Sequence, residues 1–204
     1  SIPGGSGQPL TDFAVVHEAK VHLILIRDGL DRFAHLHLTP DAARGVMKVK
    51  HTFPAGGTYH LFADHQPTGK PAATAVARVT VAGDAPAAIP LTPDAPGTVS
   101  GDGLTAKVVI EGAKPGGEAT VRFELTDPSG QSVADLEPYM GAMGHLVVVS
   151  ADATRYVHAH PAEGPSRAKN VVAFGATFPQ AGLYKGWGQF KRGGQVSVVP
   201  FVVR

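Results

Sequence analysis

The chain has 204 residues, 43% hydrophobic and 17% charged, which is enough apolar material for one large β domain or two of roughly 100 residues and too much for general disorder. Eighteen Lys and Arg against seventeen Asp and Glu leave a formal net charge of +1, so no charge surplus argues for nucleic acid or an acidic membrane surface as partner. With no cysteine, disulfides, thiolate metal sites and cysteine nucleophiles are excluded, and no apolar run reaches the ~20 residues of a membrane-spanning helix.

In chain order, Ser1 opens without a basic-plus-apolar leader, as expected of a mature or trimmed form from which any export signal is already gone. Helical periodicity is almost absent. Short runs rich in Val, Ile, Thr and Phe predict strands over 21–27, 33–38, 46–53, 58–63 and 75–81. A second set follows over 106–110, 119–126, 145–150, 156–160, 171–178, 183–190 and 196–203. Breaks such as Arg27-Asp28-Gly29, Pro54-Ala55-Gly56-Gly57 and Asp127-Pro128-Ser129-Gly130 separate them, in keeping with 25 glycines and 17 prolines. Strands at this spacing predict an all-β chain of sandwich type. The aperiodic stretch GDAPAAIPLTPDAPG over 83–97 is expected to link two domains.

The sequence repeats itself. GQPLTDFAVVHEAKVHLILIRDGLDRFAHLH from Gly7 lies on GQSVADLEPYMGAMGHLVVVSADATRYVHAH from Gly130 without a gap, and TFPAGGTYHLFADH from Thr52 lies on TFPQAGLYKGWGQF from Thr177. The expectation is two tandem immunoglobulin-like β-sandwich domains, 1–83 and 98–204, joined by a Pro-rich linker over 84–97. The first is expected to lack its N-terminal strands here, because residues 1–6 cannot supply equivalents of 106–110 and 119–126; an upstream segment, the linker 83–97 folding back or a strand donated by a neighbouring molecule would complete it. Tyr59 and Tyr184 each follow a glycine turn, as in the tyrosine corner of such sandwiches. Trp187, Phe62 and Phe190 are expected in the cores, and His51 and His60 at the surface or behind the site.

Ten histidines are concentrated in this repeat. If residues 27 and 32 are the last opposed pair of a hairpin, His22 faces His37, with His35 on the adjacent diagonal. Alternation puts all three on one face, within ~5–8 Å of each other. The same count places His145, His158 and His160 together. Three imidazoles without a thiolate suit copper or zinc. Around the first trio, His17 and Asp64 add hard or borderline donors that favour Cu(II) or Zn(II). Around the second, Met140 stands for His17, Met143 for Lys20 and Gln189 for Asp64, and the two thioethers favour Cu(I). Core filling is the alternative role for both methionines.

The strings HEAKVHLILIRDGLDRFAHLH, GGTYHLFADHQP, DLEPYMGAMGHLVVVSADATRYVHAHP and FPQAGLYKGWGQF resemble a group of secreted or membrane-anchored bacterial proteins with two tandem sandwich repeats, described as heavy-metal- or copper-associated. The resemblance covers nearly the whole chain. It implies an exported, periplasmic or extracellular, non-catalytic protein that handles copper, with His22, His35, His37, Asp64, His145, His158 and His160 at the pattern's positions. The sequence departs at Leu38, where the second copy has the more typical Pro161.

Two other classes compete with metal storage, sequestration or delivery. A copper enzyme is one: His-x-His on a β-sandwich is similar to copper-zinc superoxide dismutase, but that family also needs a bridging histidine, further zinc ligands and usually a disulfide. A structural subunit of a filament or adhesin is the other. There the open first repeat accepts a strand from a neighbouring chain and gives a homo-oligomer or filament.

Overall fold

The computed structural model describes residues 2, 10–41, 44, 46–95, 98–157, 159–162 and 168–204. It is all-β. Among the described residues there is no helix, and so none long and apolar enough to cross a membrane. The chain divides into two compact units, Ser1–Ile89 and Pro90–Arg204. The Pro-rich stretch is laid against the units at its two ends. On the first unit, the Gly56 amide donates to the Asp84 carbonyl and Arg27 to that of Pro86. On the second, the amides of Asp94 and Val202 donate to the Val202 carbonyl and the Asp94 carboxylate.

The first unit contains β1 (Val21–Arg27), β2 (Phe33–His37), β3 (Thr39–Asp41), β4 (Val46–Lys48), β5 (Gly57–His65) and β6 (Ala73–Val81). Four of them form an antiparallel sheet in the order β2-β1-β5-β6, and β3-β4 is a separate hairpin. Strand β4 stops at Lys48, well short of the expected 46–53. The β1-β2 register is His22 opposite His37, Ile24 opposite His35 and Ile26 opposite Phe33. A left-handed pair, Gly29 and Leu30, makes the turn, and Leu30 is buried beneath it. Arg27, itself buried, closes the hairpin with two 2.8 Å bonds to the Asp31 carboxylate. That pairing raises the Arg27 guanidinium and holds the Asp31 carboxyl below its ordinary range.

The second unit contains β7 (Thr98–Gly101), β8 (Leu104–Glu111), β9 (Glu118–Thr126), β10 (Leu136–Glu137), β11 (His145–Ser150), β12 (Tyr156–Val157), β13 (Ala159–Pro161), β14 (Val171–Thr177), β15 (Tyr184–Arg192) and β16 (Gln195–Val203). One sheet runs β10-β15-β11-β12 with β16 on β15, the other β13-β14-β9-β8-β7. Strand β9 alternates exposed or half-buried residues with buried Ala119, Val121, Phe123 and Leu125, as a strand covering a core must. Those side chains pack with Leu146, Val148, Phe190, Val199 and Phe201 of the other sheet in one cluster. Gly186 and Gly188 of β15 make room for it. A Cβ at Gly186 would lie 2.3 Å from the Phe201 ring, and one at Gly188 would lie 2.8 Å from that of Phe123.

Strands β1, β2, β5 and β6 thus repeat as β11, β12, β15 and β16, down to the tyrosines. Tyr59 Oη donates to the Ala55 carbonyl and Tyr184 Oη to that of Gln180, both at 2.9 Å. Among the described residues the first unit has no counterpart of β7, β8 and β9. Where they would lie over its sheet there is an open groove of about 550 Å³, lined by Leu23, Leu61, Ala63, Ala75 and Ala77 with Phe13, Met47 and Val49.

Candidate metal centre

The site begins with the β1-β2 hairpin. Because His22 and His37 are opposed and His35 is two residues from His37, all three imidazoles stand on one face of the sheet. Their ring centroids are 5.2 Å apart for His22–His35, 5.0 Å for His22–His37 and 4.8 Å for His35–His37. One nitrogen from each ring can be chosen so that all three lie within 4.8 Å of one another. An ion ~2.0–2.1 Å from each would draw them to ~3–3.5 Å, a closure that side-chain rotation supplies. His22, His35 and His37 can therefore hold a metal ion.

The rings are half-buried and already engaged. His22 Nδ1 is 3.0 Å from His35 Nε2, and His22 Nε2 donates to the Val16 carbonyl at 2.9 Å. Burial, and to a smaller extent the neighbouring His22, pull the pKa of His37 below the ordinary imidazole value. The neutral form that binds metal is the favoured one there.

His17 and Asp64 flank the cluster without joining the set of mutually close nitrogens. The His17 ring is 6.4 Å from that of His22, on a turn where His17 and Glu18 both have positive φ, 47° and 62°. Asp64 is opposite His22 across β1-β5, so the row reads His37, His22, Asp64, Thr74. Its Oδ1 accepts from Thr74 Oγ1 at 3.1 Å. Thr74 carries no signal in the sequence. His60, expected at the surface or behind the site, is buried, with Nε2 2.5 Å from an Asp28 carboxylate oxygen. His51 lies against Phe53.

The second half is built differently. His145 is buried on β11, opposite Gln189, and its Nε2 donates to the Tyr139 carbonyl at 2.9 Å. Strand β12 pairs with β11 at Tyr156 and Val157, and β13 pairs with β14 of the other sheet. There His160 is opposite Gly175 and reaches Glu118 at 3.4 Å. The reason lies in the other sheet. Strand β14 has a long partner in β9, which fixes its free edge for β13, and Gly175 leaves the space that the His160 ring fills. In the first copy Lys50 occupies the position of Gly175, and β2 runs on to His37. His158 lies outside the described residues. Met140 sits on the turn equivalent to that of His17, with φ 54°, and Met143 is exposed at 43%, outside the core.

A family model described as "Domain of unknown function (DUF8832)" matches residues 4–83 and 98–204. No curated protein matches the chain.

Proposed function

The chain belongs to the DUF8832 family, matched in both halves, and we propose that it is an exported metal-binding protein handling copper for storage, sequestration or delivery. The observation that carries this reading is the three-histidine cluster on the β1-β2 hairpin. An all-imidazole donor set in a chain without cysteine suits Cu(II) or Zn(II), with His17 and Asp64 as neighbouring donors of the same class. The exposed Met143 and the turn residue Met140, two and five residues before His145 in the chain, bias the second half toward Cu(I). Export to the periplasm or beyond follows from the resemblance to secreted copper-associated proteins, and no catalytic step is assigned. Elemental analysis of protein purified from its native source tests the reading. Copper near one equivalent or above supports it, and a metal-free protein that takes up none on reconstitution overturns it. Superoxide or oxidase turnover by the copper-loaded form would move the protein to the enzyme class.

The groove of the first unit favours a second reading, a filament subunit completed by a strand from another copy of this chain. Support comes from the internal repeat, since the second unit covers the corresponding face with its own β8 and β9.

A further inference from the structure

The histidine at the centre of the cluster has an outer contact that recurs in the other half. His22 Nε2 lies 2.9 Å from the Val16 carbonyl oxygen and His145 Nε2 lies 2.9 Å from that of Tyr139, six residues back in both cases. A carbonyl oxygen can only accept, so Nε2 carries the proton on both rings, whether the imidazole is neutral or charged. The lone pair of the neutral ring is then on Nδ1. In His22 that atom faces His35 Nε2 at 3.0 Å.

Both carbonyls are held by the same device. Val16 and Ala19 exchange two backbone hydrogen bonds of 2.9 and 3.1 Å, and Tyr139 and Ala142 exchange two of 2.7 and 3.2 Å. The central pairs are left-handed: His17 and Glu18 at φ 47° and 62°, Met140 and Gly141 at φ 54° and 76°. Two consecutive residues with positive φ define a type I′ turn, which favours Asn-Gly. Holding His17 and Glu18 in it is sterically unfavourable, and such strain persists where the surrounding structure requires it.

We propose that the Val16 carbonyl, presented by this turn, is the positioning contact that makes His22 an Nδ1 ligand, and that the Tyr139 carbonyl prepares His145 in the same way. The proposal rests on the metal-binding reading. A ligating imidazole is held by the hydrogen bond its other nitrogen donates, which fixes both tautomer and ring orientation. In the metal-free protein His35 Nε2–H donates to His22 Nδ1. On metal entry that proton transfers through solvent to His35 Nδ1, a change of tautomer with no net proton loss. The lone pairs of His22 Nδ1 and His35 Nε2 then face one ion, while His22 keeps its ring plane and its Nε2 proton.

The test uses the whole chain with nitrogen-15-labelled histidine. Long-range proton–nitrogen spectra are recorded without metal above the imidazole titration range and again with cadmium-113, a spin-active diamagnetic stand-in, with assignments from His22→Ala and His35→Ala. In the metal-free spectra, Nε2 of His22 and His145 should be protonated and Nδ1 bare. Cadmium splitting should then appear on His22 Nδ1 with the Nε2 proton retained, and the His35 proton should have moved to Nδ1. A protonated His22 Nδ1 in the metal-free protein, or splitting on His22 Nε2, overturns the proposal. If the tautomers are as stated but none of His22, His35 and His37 couples to cadmium, the metal-binding reading itself falls and the ligand role falls with it. Ala19→Pro, which removes the amide paired with the Val16 carbonyl, should mix the His22 tautomers and weaken metal binding about 10–100-fold. Mixed tautomers with unchanged affinity overturn the proposal, and the wild-type spectra decide it if this variant does not fold.

Discussion

His37 is half-buried on the edge strand β2 beside His22, and both features disfavour its protonation. Its folded pKa lies below the ordinary ~6.5, so between those two values the unfolded chain binds more protons than the folded one. The sign follows: metal-free stability falls as pH drops through that window, and is unaffected by this group above it. Thermal unfolding of the metal-free protein from neutral pH downward should show a loss that His37→Asn lessens, and equal slopes in the two proteins would contradict the account. Metal affinity should fall in the same direction, because imidazole must be neutral to bind. The pairing of His22 with His37 was legible in the sequence, since counting back from a short turn fixes the register and alternation fixes the face. The carbonyls of Val16 and Tyr139 were not, because a main-chain oxygen has no letter of its own. Their trace is a six-residue spacing to histidine and one glycine, Gly141, in the second copy alone.

At the scale of the element, the β1-β2 hairpin owes its register to the Arg27–Asp31 pair as much as to its turn. The Arg27 side chain is 4% exposed, so Asp31→Ala leaves a buried guanidinium with the Pro86 carbonyl as its remaining hydrogen-bond partner among the described residues. Breaking such a pair costs about 3–5 kcal/mol when fully buried, and less here because Asp31 is 22% exposed. Urea unfolding should show the first unit weakened by about 2–3 kcal/mol, and the three histidines should lose affinity with it. Glu18→Gly acts in the opposite direction. It relieves a left-handed residue that costs roughly 1–2 kcal/mol, offset by the greater chain entropy of glycine, for a net gain of up to about 1 kcal/mol. A destabilised Glu18→Gly would show that the turn is not strained. The strand exchange after Val157 was the element the sequence hid. Tyr156 to His160 has the same pattern as Phe33 to His37, and only the pairing of β14 with β9, a long-range contact, decides which sheet the second copy's histidine joins.

Over the whole chain, two copies of one repeat have become unequal. The all-β class and the repeat were legible because both are written in local pattern and self-similarity. The difference between the units was legible only in part: the repeat aligns from Gly7 and Gly130 onward, but the groove over the first sheet required a structure. If a second copy of the chain fills that groove, light scattering should show association that increases with concentration and is lost in Ala77→Lys, which places a charge in the groove floor. A monodisperse monomer at all concentrations would remove the filament reading and leave metal handling intact.

Calorimetric titration of the metal-free chain with Cu(II), beside the same titration of a His35→Ala/His37→Ala double variant, asks whether the hairpin histidines hold the ion. Tight binding is expected in the parent and the loss of one equivalent in the double variant, with the fold unchanged by circular dichroism. An isotherm of the same stoichiometry and affinity in both proteins would contradict this, because the hairpin histidines would then hold no copper.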